Sequence, residues 1–162
     1  MHHYSLPRGG APVGLLSELD CVEAGAVIYL RLWSEGPDEQ AMVCQEFDAL
    51  LGYEKGRNAT ESFGKLCEIC ARHCRRPLLR HGLNCKCLGA DEACFANFVG
   101  YATDGEREDA FLLAATMVRP NMASALVTLA QDFGLALKSM ARSHGRPIEA
   151  LDADQPQTRT LH

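Results

Sequence analysis

Long apolar runs are missing from this chain. Nowhere in its 162 residues do roughly 18 apolar residues follow one another, so no membrane-spanning helix is expected. The N-terminus lacks a charged segment followed by an apolar one, which points to a cytoplasmic protein. Positive charge is in short supply as well: the formal net charge of -5 makes nucleic acid an unlikely partner. Sustained apolar–polar alternation is absent, and with it the signature of an extended sheet.

The common catalytic signatures are missing too. There is no H-E-x-x-H, G-x-S-x-G, G-x-x-x-x-G-K or G-x-G-x-x-G, and no histidine follows a glutamate by three residues as in di-iron bundles. Nothing in the motifs calls for an enzyme.

Cysteine is plentiful. Six of the eight cysteines and two of the six histidines fall between Cys67 and Cys94, giving the candidate metal ligands Cys67, Cys70, His73, Cys74, His81, Cys85, Cys87 and Cys94. On a helix Cys67, Cys70 and Cys74 share one stripe. Pro77 then turns the chain, and Cys85 and Cys87 follow as a close pair before the next helix. Two thiols at a helix end and two on a following loop suit a structural zinc ion with Zn–S bonds of about 2.3 Å. Cys67, Cys70, Cys85 and Cys87 are the expected ligands, with His73, Cys74, His81 and Cys94 as substitutes.

Three readings stay open. A zinc-bearing helical protein would act as a non-enzymatic binding or regulatory module for a protein partner; the spacing departs from that of zinc ribbons, because the second pair is C-x-C. An iron–sulfur protein or thiol-based redox sensor is the second, since cytosolic thiols are kept reduced and cysteine clusters there bind metal or do redox chemistry. A metal-free helical interaction protein whose cysteines are simply buried is the third, because cysteine behaves as a small buried hydrophobe. Lys65, Arg72, Arg75, Arg76, Arg80 and Lys86 stand against Glu68 alone across this window, and are expected to offset thiolate charge.

Helical periodicity organises the rest. Residues 1–14 read as a loose arm, in which His2 and His3 offer nitrogens to Cu(II) or Ni(II). Residues 15–142 read as the helical domain, and 143–162 as a polar tail. Within the domain, a helix capped by Asp20 ends near Gly36, a second begins at Pro37 and runs to Gly52, and a third extends to Cys74. Asp91 is expected to cap a fourth helix, and Thr103–Glu106 to open a fifth whose run from Ala110 to Val118 looks central and buried. A last helix, capped by Asn121 and stopped from merging with the fifth by Pro120, carries Met122, Leu126, Leu129, Phe133, Leu137 and Met140 on one stripe. The expected fold is an all-α, single-domain bundle of about five to seven helices with a cysteine-rich helix–loop–helix clip.

Overall fold

The computed structural model describes residues 8–144, and for His144 the backbone alone. The His2/His3 site, the rest of residues 1–7 and the tail from 145 onward lie outside the described residues. Among the described residues the fold is an all-α bundle of six helices with one small two-stranded sheet. No helix there is long and apolar enough to cross a membrane.

The Asp20 carboxylate accepts the Glu23 backbone N–H at 2.8 Å and starts α1 (Cys21–Glu35). Pro37 opens α2 (Pro37–Leu51), where its missing N–H costs nothing. Gly52, at φ 85°, turns the chain directly into α3 (Tyr53–His73), a conformation that any side chain would strain. α4 spans Ala90–Thr103, α5 Arg107–Met117 and α6 Pro120–His144.

The order of burial differs from expectation. α5 is peripheral: Ala110, Ala114 and Met117 face inward, but Phe111 and Leu112 are 42% and 65% exposed. α6 is the central element and packs against all five other helices. Its stripe of Leu126, Phe133, Leu137 and Met140 is fully buried, with Met122 and Leu129 packed at its margin. A run of small and apolar residues on α5 did not distinguish a buried helix from one whose alanines face inward and whose large side chains face out. Phe63 and Phe133 stack at 4.3 Å in the middle of the core, with Phe47 tilted against both.

Three helix boundaries also shift. Gly89, not Asp91, is the N-cap of α4, and Glu92 closes the cap by accepting the Gly89 N–H at 3.0 Å. Thr103 completes α4, donating its hydroxyl hydrogen bond to Val99, and Glu106 opens α5 without a side-chain cap. Pro120 is the first residue of α6, ahead of Asn121. Residues 8–14, expected as part of a loose arm, instead contribute a 3-10 turn (Arg8–Gly10) and most of strand β1 (Pro12–Leu15). β1 pairs antiparallel with β2 (Cys87–Gly89), in the register Leu15 opposite Cys87, with an irregularity between Pro12 and Gly14. Four residues of one strand and three of the other are too few for alternation to show in a sequence.

Candidate functional site

The segment between α3 and α4 is long and nearly devoid of regular structure, yet it is held along its whole length. At its start, His73 and Arg75 bracket a β-bridge between Cys74 and Val118: Arg75 N–H donates to Met117 at 3.0 Å and Arg119 N–H to His73 at 3.1 Å. The Arg75 side chain donates to the Ala115 carbonyl at 2.9 Å. Arg76 forms a two-pronged pair with Asp91 at 2.8 and 2.6 Å, and the Leu79 N–H donates to the same carboxylate at 2.8 Å. Burial of Asp91 opposes its ionisation, but these donors outweigh it and hold the carboxyl below its usual range.

The second half of the segment is fixed by a buried ion pair. Arg31, in the middle of α1, donates through Nε and Nη2 to Glu92 of α4 at 2.6 and 2.8 Å, with both side chains fully buried. Its remaining donors reach the Cys85 carbonyl at 2.6 Å and the Cys87 carbonyl at 2.8 Å. Glu92 in turn accepts the His81 N–H at 3.3 Å as well as its own cap N–H. One guanidinium and one carboxylate therefore set the path of the backbone on both sides of the C-x-C pair.

On that frame His81 and Cys85 face each other. A turn closed by Cys85 N–H to Gly82 O, 2.9 Å, brings the His81 Nδ1 and Cys85 Sγ to 3.4 Å. The other ring nitrogen, Nε2, lies 2.8 Å from the Gly10 carbonyl, an oxygen that only accepts, so Nε2 carries a proton. The Gly10 carbonyl raises the basicity of the imidazole, and the Cys85 sulfur adds to it. Facing His81 and the backbone N–H and thiol of Cys87, the Cys85 thiol is held below its usual value. A sulfur, a ring base and a third group that orients the base are the parts of an activated thiol nucleophile.

The α3 cysteines stand apart from that pair. Cys67, Cys70 and Cys74 share one stripe as expected, and line a groove between α1, α3 and residues 77–80. Burial pushes the Cys67 thiol well up, and the Cys70 thiol to about 12, so both stay protonated. His73 ends α3 in the bridge to Arg119. Cys94, expected as a substitute ligand, instead has Thr116 as its hydrogen-bonding neighbour at 3.9 Å, and burial raises its thiol. Among the described residues, no three or more histidine, cysteine, aspartate or glutamate side chains are gathered as a ligand set. The eight candidates are thus distributed: His81, Cys85 and Cys87 on the loop, Cys67, Cys70 and Cys74 in the groove, and His73 and Cys94 at separate positions.

The arginines of the basic window have other partners than thiolates. Arg72 faces Glu68 at 3.4 Å, Arg75 the Ala115 carbonyl, and Arg76 Asp91. Two of them do act on thiols at longer range, Arg80 favouring the charged form of Cys67 and Arg76 that of Cys94, in each case against the larger effect of burial. The site's principal supports, Arg31 and Glu92, are not among its cysteines or histidines at all. Arg31 does leave a trace in the sequence, as the single charge within the apolar run from Gly25 to Trp33. No protein-family model, curated protein or solved structure matches this chain.

Proposed function

We propose that the protein is a non-enzymatic thiol-based redox module, in which Cys85 is the reacting residue and Cys87 its resolving partner. The observation that supports this reading best is the chain Gly10 carbonyl, His81, Cys85 sulfur, with spacings of 2.8 and 3.4 Å, on a backbone clamped by Arg31. Cys85 passes its thiol proton to His81 Nδ1, and with a hydroperoxide as oxidant its sulfur attacks the terminal oxygen and the O–O bond breaks. The departing alkoxide or hydroxide takes the His81 Nδ1 proton, and Cys85 is left as a sulfenic acid. Cys87 sulfur then displaces that oxygen as water, forming the S–S bond, so two thiols are oxidised as one hydroperoxide is reduced.

Residue-resolved mass spectrometry after brief alkylation tests this. Cys85 should be labelled first of the eight cysteines, and His81→Ala should slow it toward the rate of Cys44. Peroxide should convert Cys85 and Cys87 into a disulfide. Alkylation of Cys85 no faster than that of Cys44 would remove the basis for the proposal.

One distance favours zinc as a second reading. The S–N edge of a tetrahedral zinc site is about 3.5 Å for ordinary Zn–S and Zn–N bonds. The His81–Cys85 spacing of 3.4 Å fits that edge, and a protonated Nε2 on a carbonyl is the usual outer contact of a ligating histidine. His81 and Cys85 would supply two ligands of the ion, and Cys87 would have to turn toward them to supply a third, since no three such side chains are gathered among the described residues. Metal analysis of protein purified without chelator, followed by cobalt substitution, separates the two readings: a stoichiometric, thiolate-rich tetrahedral cobalt spectrum supports zinc. Metal-free protein whose melting ignores chelator rules zinc out.

A further inference from the structure

We propose that the groove between α1, α3 and residues 77–80 binds a small monocarboxylate with an apolar, aromatic or branched body. This site is separate from Cys85 and does not depend on its chemistry. Its volume is about 510 Å³, within the range of small-molecule sites.

The groove exists because of a glycine. Trp33 stands edge-on to Phe63 at 5.2 Å, and the Gln40 side-chain amide donates to the Trp33 backbone carbonyl at 2.9 Å. A Cβ on Gly64 would lie 3.3 Å from the indole, so any larger residue there would cover the ring. The indole is left half-buried, with a face available to a ligand. Leu30 and Leu78 supply apolar walls.

The thiols contribute surface and not reactivity. Cys67 and Cys70 are held neutral by burial, and a protonated cysteine packs as a small soft hydrophobe. A non-covalent, apolar ligand body suits that wall; an electrophile would meet unreactive sulfur.

Charge selects the other end of the ligand. Arg80 lines the groove and is exposed, and among the described residues it makes no salt bridge, whereas Arg72 and Arg76 each face a carboxylate. A carboxylate on the ligand would give Arg80 a partner matched to its planar fork. Glu68 also lines the groove and faces Arg72, so a second negative charge on the ligand would be repelled.

Trp33 is the chain's one tryptophan, so intrinsic fluorescence reports directly on the groove. Phenylbutyrate, which does not absorb where tryptophan is selectively excited, is the probe, with phenylbutanol as its uncharged counterpart. The expected result is a saturable change in Trp33 emission with a Kd on the order of 100 µM, within the bounds for a ligand of that size. Arg80→Gln should weaken binding by about tenfold or more, Arg80→Lys by less, and phenylbutanol should bind like phenylbutyrate does to Arg80→Gln. Gly64→Leu should block the groove; because a helix substitution can unsettle folding, the exposed Arg80 variants carry the decision. The proposal is overturned if Trp33 emission ignores phenylbutyrate into the millimolar range. It is overturned equally if Arg80→Gln or the alcohol binds as well as the native pair.

Discussion

Arg31 and Glu92, 61 residues apart in sequence, meet as a fully buried ion pair in which the guanidinium also holds the carbonyls of Cys85 and Cys87. Four acceptor oxygens, two of them from Glu92, surround a charge that water does not reach. The pair joins α1 to α4 and, through those carbonyls, makes the position of the cysteine loop a property of the helical core.

Breaking that pair from one side should be costly, because the remaining partner keeps its charge without a counterion. Arg31→Met and Glu92→Leu are each expected to destabilise by about 3–5 kcal/mol in urea melts. The double variant removes both charges and should recover part of the loss. It should not recover all, since the Cys85 and Cys87 carbonyls lose their donors. Full recovery would mean the guanidinium contributes nothing to the loop. The same variants should also level the alkylation rates of Cys85 and the other half-buried cysteines.

Packing around α6 allows a graded test. Leu126 is fully buried and Leu129 only packs at the core's margin, so Leu126→Ala should cost about 2–5 kcal/mol and Leu129→Ala clearly less. Gly134 sits where a Cβ would overlap the Thr103 hydroxyl of α4, so Gly134→Ala should destabilise despite its better helix propensity. A stabilised Gly134→Ala variant would show that α4 and α6 do not approach as closely as described.

Most of the helical fold was legible because its signals are local. Asp20, Pro37 and the Gly36 and Gly52 breaks act within one or two turns, and α1, α2 and α3 fall where those residues place them. Long-range partners were not legible. Asp91 reads as a cap by position, but its carboxylate is taken by Arg76 and the Leu79 N–H, and Glu92 belongs to Arg31. The cysteine stripe on α3 follows from helical spacing alone. Its separation from Cys85 does not, because it depends on how Arg31 and the β1–β2 pairing draw the loop away. The four-residue spacing of His81 and Cys85 was visible, yet what makes the pair notable is the carbonyl of Gly10, 71 residues from His81.

The Cys85 pair makes a pH prediction. Since the thiol is held below its usual value and the imidazole above its own, the Cys85 alkylation rate should reach half its plateau at lower pH than that of an ordinary thiol. His81→Ala should move that midpoint upward, and His81→Gln, which keeps a donor but not a charge, should leave it between the two. Identical midpoints in all three proteins would show that the 3.4 Å contact does not influence the sulfur.

Two carboxyl groups should bend the stability profile in opposite directions. Burial, with Asp20 and Asp104 nearby, raises Glu23 from 4.5 to about 7. A raised carboxyl favours the protonated form in the folded state, so its contribution is fully present below about 4.5 and is lost as pH climbs toward 7. Asp91 behaves in the reverse sense. Its depressed carboxyl stabilises the fold above the ordinary aspartate range, and that contribution disappears as acid protonates it. Melting temperatures taken across this range should therefore fall from pH 5 to 7 in the native protein, and fall less in Glu23→Gln, which is neutral throughout. Asp91→Asn should be less stable than the native protein at neutral pH and converge with it in strong acid. Because Glu23 is half-buried and solvent screens it in part, the Glu23→Gln difference should be modest. Its sign is the test: a difference between the variant and the native protein that stays constant from pH 5 to 7 would show that Glu23 ionises without penalty and that the acidic cluster at the start of α1 is fully solvated.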